Sequence, residues 1–265
     1  MSAVLEAPPG AAGPGTSVPR GSSELTAPVH SWDLAAAEYG PGTRFVLFTA
    51  GCPLRCVYCS VPQTWDEHAG YRVSVADVMT HVRRYLPLFE LTGGGVTLSG
   101  GDPLLHPQFV AVLVRACRAA GVHTALDTAG TLGDSLDDDT LGDLDLTLLD
   151  LKAYRRETYR RITGGAVAPS LRFARRLAVL GRPMTVRYVL VPGVTDGSDE
   201  IEELADFVAG LGCVQRVDVV PFHRRGQAGW DALGLAFPLA DRPGPTRDAL
   251  ATTRAAFSRR GLVVG

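Results

Sequence analysis

Lysine is nearly missing from this chain. Of its 26 basic side chains only Lys152 is a lysine, and the rest are arginine. A lone ammonium, kept where arginine serves everywhere else, suggests a place that needs a compact charge, although chance could also leave one. Cysteine is scarce too, with five in 265 residues. A chain this long buries roughly three-quarters of its unfolded surface, so it needs no disulfide staples. No apolar run approaches the roughly 20 residues that span a bilayer, so no membrane helix is expected. Neither sign of charge dominates, because the formal net charge is −2. Acids and bases read as interspersed, which argues against nucleic acid as the main partner. The first residues carry neither a basic stretch nor a long apolar one, so no secretory signal is expected and the expected compartment is the cytoplasm. Residues 1–27, rich in Pro, Gly and Ala, read as a flexible tail, and residues 28–265 as one domain.

Three of the five cysteines crowd into GCPLRCVYC, as Cys52, Cys56 and Cys59. In a reducing compartment such a group binds metal or does redox work more often than it forms disulfides. A closed structural zinc site takes four ligands, and three thiolates leave one position open. Zinc with His68 as fourth ligand fits this spacing, and so does an iron–sulfur cluster with one free iron. Cys117 sits on the apolar face of a helical pattern and reads as packing, and Cys213 is assigned no role.

The rest of the chain alternates strand-like and helix-like segments. Strands are expected at 44–48, 95–102 with its glycine turn, 122–128, 144–152, 185–193 and 214–222. Helices are expected at 74–86, capped by Ser74 with Asp77 three residues on, and at 107–121, 170–181 and 246–261. Another is expected to start on Ser198 as its cap and to close at Gly212. Such alternation implies parallel βαβ units. The polar stretches SGGD, DT, DLK, VPG and PFH all fall at the C-terminal ends of their strands, where barrel enzymes build their sites. The expected fold is α/β, a partial (β/α)6 TIM-like barrel with its active site at the C-terminal ends of the parallel strands. A doubly wound sheet is the competing arrangement.

Within SGGD, glycines allow close approach of backbone to a ligand, and Asp102 could meet an ammonium group; a tight turn would look the same. Asp127 with Thr128, and Asp150 with Lys152, end two adjacent strands. They could hold a cation or a ligand hydroxyl, or form a salt-bridge network. His223 is a single strand-end histidine. Arg224 and Arg225 read as a solvated edge.

CxxxCxxC with Tyr58 before the third cysteine, followed by a glycine-rich strand end, resembles the radical S-adenosylmethionine (SAM) superfamily. VHSWDL, YGPGTRFVLFTAGCPLRCVYC, TW at 64–65, GGGVTLSGGDPLL, ALDTAG, LLDLK, VRYVLVPGVTD and VVPFHRRG follow in the order of a glycyl-radical-enzyme activating enzyme, most like the pyruvate formate-lyase type. The resemblance spans about residues 29–264. It implies a 4Fe–4S cluster on Cys52, Cys56 and Cys59, with SAM chelating the fourth iron. It places Gly100, Gly101 and Asp102 at the methionine amino group, and Tyr58, Ser60, Arg187, Val189 and His223 around the rest of SAM. Asp150, Leu151 and Lys152 would reach its ribose or carboxylate. Asp127, Thr128, Leu148 and Asp150 match a monovalent-cation site. No catalytic residue beyond the cluster ligands is implied. The implied reaction is reductive cleavage of SAM to methionine and a 5′-deoxyadenosyl radical, which takes hydrogen from a glycine Cα of a partner enzyme. The implied partners are a glycyl radical enzyme as protein substrate and flavodoxin or ferredoxin as electron donor, with the chain itself a monomer. A radical SAM enzyme for a small molecule or peptide, and a non-catalytic cluster-binding paralogue, are the alternatives. Three positions depart from the pattern: Asp102 stands for Glu, Ser60-Val61 follows the third cysteine, and Tyr39 replaces the Asp of a DGPG segment.

Overall fold

The structure, a computed structural model, describes residues 25–36 and 38–265. Nearly all of the expected tail therefore lies outside the described residues. The chain divides into two compact units. The first takes the chain to Pro53 together with Thr64–Thr128 and Asp134–Leu146. The second takes Leu54–Gln63, Ala129–Gly133 and Thr147–Gly265.

The first unit holds β1 (Thr26–Ala36), β2 (Thr43–Thr49), β3 (Tyr71–Ser74), α1 (Val75–Arg84), α2 (Leu86–Thr92), β4 (Gly95–Gly100), α3 (Pro107–Ala119), β5 (His123–Thr128) and α4 (Asp138–Asp143). Its strands run in the order β3-β1-β2-β4-β5. β2, β4 and β5 are parallel, whereas β1 is antiparallel to both β2 and β3. The parallel strands are apolar on both faces, as parallel sheets require, and Val46, Leu47, Val96, Leu98 and Leu126 are fully buried. α3 lays Phe109, Val110, Leu113, Val114 and Cys117 into the core. Arg44 is also fully buried. Its guanidinium donates to Thr97 Oγ1 at 2.9 Å and to the carbonyl of Val96, and Nη1 sits 3.1 Å from His123 Nδ1, which ties β2, β4 and β5 at one end.

The second unit begins with the last four residues of β6 (Leu146–Asp150). It continues with α5 (Arg156–Thr163), α6 (Val167–Val179), β7 (Met184–Leu190), α7 (Ser198–Ala209), β8 (Val214–Pro221), α8 (Gln227–Ala232) and α9 (Arg247–Ser258). β6, β7 and β8 are consecutive and parallel. Phe173 and Leu177 of α6, Ile201, Leu204 and Val208 of α7 and Phe257 of α9 are buried. Each such side chain contributes roughly 1.5–3 kcal/mol relative to exposure.

The six expected strands are β2, β4, β5, β6, β7 and β8. The α/β class with mostly parallel strands is therefore what forms, and neither run of strands closes on itself. The differences are local. Ser74 and Asp77 do form a capping box around α1. The helix stops at Arg84 because Pro87 lacks the N–H that would continue it, and α2 starts afresh. Ser198 is not a cap: it is the first residue of α7, and Gly197 takes the cap position with no side-chain bond. Asp199 and Glu200 answer the helix dipole instead. α7 also closes at Gly210, not Gly212. β1 was not expected; it takes in Thr26 and Ala27 from the expected tail.

Candidate active site

In the first unit, the loop after β2 is held by backbone. Gly51 N–H donates to the Thr64 carbonyl at 2.7 Å and Cys52 N–H to the Trp65 carbonyl at 3.2 Å. Gly101 N–H donates to Thr49 and Asp102 N–H to Gly51, at 2.9 and 2.8 Å. This explains the glycine pair after β4. A Cβ on Gly101 would lie 2.0 Å from the Gly51 carbonyl, and one on Gly100, at φ +112°, 2.4 Å from Thr49 backbone. Only glycine lets the two loops meet this closely. Asp102 is 1 % exposed. Its Oδ1 accepts from Thr128 Oγ1 at 2.8 Å and from Leu104 N–H at 3.1 Å. Asp127 Oδ2 accepts from Ser99 Oγ at 2.7 Å. Tyr39 packs edge-on against Phe48, ring centroids 5.7 Å apart.

In the second unit, the other two thiols hang from α5. A helix leaves its last carbonyls without partners inside the helix. Here Ile162 and Thr163 offer theirs to the N–H groups of Val57 and Arg55, at 2.9 and 2.8 Å, on either side of Cys56. Cys59 N–H closes back on the Cys56 carbonyl at 3.0 Å. The Cys59 carbonyl accepts from Trp230 Nε1 at 3.0 Å. Gly226 makes room beside it, since a Cβ there would lie 2.7 Å from that carbonyl. Burial pushes the Cys56 thiol up to about 11, against the pull of the Lys152 charge.

β6 and β7 end in a charged triad. In-register Asp150 and Arg187 face one another, with Arg187 Nε donating to Oδ1 at 2.7 Å. Lys152 Nζ donates to Oδ2 at 2.5 Å. Burial pushes Asp150 up, but the charges of Arg187 and Lys152 outweigh it and hold the carboxyl at about 2. Burial likewise opposes charge on Lys152, and Asp150 overcomes it, raising the ammonium well above its usual range. Lys152 Nζ also lies 5.8 Å from the centroid of the Tyr58 ring, a cation–π contact. Tyr58 is buried, and its hydroxyl has no hydrogen-bond partner among the described residues.

Of the expected site residues, the second unit thus gathers Tyr58, Asp150, Lys152 and Arg187 with the Cys56 loop. Leu148 and Leu151 are buried in β6 and just beyond it. Val189 shares the Arg187 face of β7, and its carbonyl accepts from Thr195 Oγ1 at 2.7 Å. Ser60 is exposed. His223 is exposed too, and its Nδ1 accepts from Arg225 N–H at 3.4 Å. The first unit gathers Cys52, Gly100, Gly101, Asp102 and Thr128, with Asp127 held by Ser99. His68 is exposed beside Asp66 at 3.1 Å. Cys117 is buried as expected, with Sγ 3.7 Å from the Met79 sulfur. No three His, Cys, Asp or Glu side chains are grouped for a single metal ion among the described residues. Thiolates carried on separate irons do not need to converge on one point.

Three contributors escaped the sequence reading. Trp230 lies seven residues past the PFH motif, and an indole N–H needing a partner was its only signal. α5 was not expected as a helix. Glu200 is buried on α7 and accepts from the N–H groups of Tyr154 and Arg155 at 2.9 and 2.8 Å and from Thr158 Oγ1 at 2.7 Å. It anchors the segment after Lys152 and the start of α5, and nothing in its own neighbourhood of sequence marks that.

The chain is similar to several known proteins. A sequence profile described as the radical SAM superfamily matches residues 46–208. The pyruvate formate-lyase 1-activating enzyme of Escherichia coli is 35% identical over 235 residues, 88% of this chain and 96% of that one. The pyruvate formate-lyase-activating enzyme of Staphylococcus aureus is 37% identical over 229 residues, 84% and 91% of the two chains. The crystal structure of a domain of pyruvate-formate lyase-activating enzyme from Bacteroides vulgatus superposes with TM-score 0.54 at 25% identity, covering 65% of this chain and 98% of that one.

Proposed function

Because the chain belongs to the radical SAM superfamily, we propose that it activates a glycyl radical enzyme of the pyruvate formate-lyase type. The observation that carries this reading is the cysteine loop, set beside strand-end charges in each unit. The residues fit a 4Fe–4S cluster. Among the described residues none of the three cysteines forms a disulfide. Glycines clear the backbone around them. The unpartnered Tyr58 hydroxyl, next to Lys152, is a buried polar atom that a bound cosubstrate would satisfy. Cys52, Cys56 and Cys59 would hold the cluster, which supplies one electron to SAM when bound.

The chain's own residues do the orienting. In this reading Gly100, Gly101 and Asp102 meet the methionine amino end of SAM. Asp102 reaches that end with one methylene less than Glu, and Thr128 fixes its carboxylate in place. Lys152 and Arg187 present positive charge toward the SAM carboxylate, with Asp150 holding both. Tyr58, Ser60, Leu151, Val189 and His223 complete the contacts. The buried side chains of the loop, Leu54, Cys56 and Tyr58, exclude water from a reactive radical, and the protein's share of the chemistry is orientation. A monovalent cation at Asp127, Thr128, Leu148 and Asp150 belongs to the same proposal. Asp150 already accepts from two cations, so such an ion would draw its negative charge from Asp127. An electron donor of the flavodoxin or ferredoxin kind, a monomeric state and a cytoplasmic setting complete the reading.

The test is anaerobic. The reconstituted chain, SAM, a reductant and a candidate glycyl radical enzyme are mixed and followed by electron paramagnetic resonance. A doublet that changes when the partner's glycine is deuterated at Cα supports the reading. SAM cleavage with no radical on any such partner overturns the activating role and leaves only the superfamily.

A further inference from the structure

Charge is not interspersed everywhere. From Lys152 to Arg182 there are nine basic residues and one acid, Glu157, in a protein of net charge −2. This segment supplies α5 and α6. Arg155 pairs with Glu203 at 2.7 and 2.9 Å. Arg161 donates to the Val194 carbonyl, and Arg175 lies 5.0 Å from the Phe207 ring centroid. Arg156, Arg160, Arg161 and Arg175 are exposed, and none of these four has a carboxylate partner among the described residues. The helix dipole accounts for Arg160 and Arg161, which sit in the last turn of α5, but not for Arg156. Arg156 sits in the first turn of α5, where a cation opposes the helix dipole. Arg156 and Arg160 are four apart, where like charges repel.

The position of this face matters. Arg160 and Arg161 directly precede Ile162 and Thr163, whose carbonyls hold Val57 and Arg55 around Cys56. The uncompensated charge is therefore carried by the helix that supports the thiol loop. We propose that the arginine face of α5, with Arg175 of α6, is the docking surface for an acidic protein that delivers single electrons to the thiolate site. The inference rests on the functional reading above, since it requires a site that must be reduced. One electron leaves the donor and one arrives at the cluster, and no atom is transferred. Complementary charge speeds such an encounter and is screened by salt.

The test uses the cluster-loaded chain and a variant carrying Arg156→Glu, Arg160→Glu and Arg161→Glu, with Arg175→Glu as a separate second variant. Iron content and thermal melting confirm that each variant folds and loads. Oxidised flavodoxin and oxidised ferredoxin, both acidic, are titrated at low and high salt. The wild type is expected to bind one of them more weakly as salt rises, and the triple variant to lose about tenfold or more in affinity at low salt, with a smaller loss for Arg175→Glu. A second arm measures 5′-deoxyadenosine. Dithionite-driven product should be unchanged in the variants, while product driven by the reduced donor protein should fall by about the same factor. Equal donor affinity in variant and wild type, or no donor binding by the wild type, overturns the proposal. So does a variant that keeps donor affinity but no longer binds the glycyl radical enzyme, which would assign the face to the substrate. Absence of dithionite-driven product from the wild type would overturn the functional reading instead, with the binding result still standing.

Discussion

Asp102 and Asp150 both end strands, and they are held in opposite ways. Asp102 accepts from a threonine hydroxyl and a backbone N–H. Asp150 accepts from a guanidinium and an ammonium. Hydroxyl and amide donors fix where a carboxylate points without adding a charge. Cationic donors fix it and neutralise it, while bringing two positive groups to one spot. The first arrangement suits meeting a cation, and the second suits presenting cations to an anion.

The comparison breaks most severely at Asp150. Asp150→Asn leaves Lys152 and Arg187 mostly buried beside each other, and removing one partner of such a group costs about 3–5 kcal/mol. Urea unfolding should show that loss, and SAM binding should fall with it. A loss under about 1 kcal/mol would mean the triad is solvated like a surface pair. On the other side, Thr128→Val removes the hydroxyl donor to buried Asp102 and should cost about 1–3 kcal/mol in the same measurement. The smaller Lys152→Arg change keeps the charge. It should cost about 1 kcal/mol or less and still raise half-saturation for SAM about tenfold, because the broad planar fork does not reproduce a compact ammonium. If Arg serves as well as Lys, the single lysine has no special use.

The smallest effect expected is with pH. Asp150 is held at about 2, so its contribution is complete above the usual carboxylate value of about 3.9 and is lost only as pH falls through about 2. Lys152 is raised, so its contribution is complete below about 10.4 and is lost only as pH rises through its still higher folded value. The triad's contribution to stability should therefore stay flat between about pH 5 and pH 9. A titration in that window that disappears in Asp150→Asn would contradict the triad.

The legible parts of the site were those written in neighbouring residues. CxxxCxxC, the glycine pair and the DLK end are short, and each lies at or just past the end of a strand, as the alternation implied. The six parallel strands were legible because apolar runs and turn residues repeat. What was not legible comes from distant chain. Glu200 reaches the segment after Lys152 only because α7 packs there. Trp230 finds Cys59 across 171 positions. β1 is an antiparallel strand next to a Pro/Gly-rich start, so composition spoke against it. Even the glycine pair had a second reason that sequence did not show: contact with the Thr49–Gly51 backbone.

The central claim is that Cys52, Cys56 and Cys59 form a site that drives reductive cleavage of SAM. Anaerobic reconstitution with iron and sulfide, reduction with dithionite and quantitation of 5′-deoxyadenosine test it directly, with Cys56→Ala as the control. Product from the wild type and none from Cys56→Ala is the result expected. A wild type with a full complement of cluster iron and no 5′-deoxyadenosine, or a Cys56→Ala variant as active as the wild type, would contradict it.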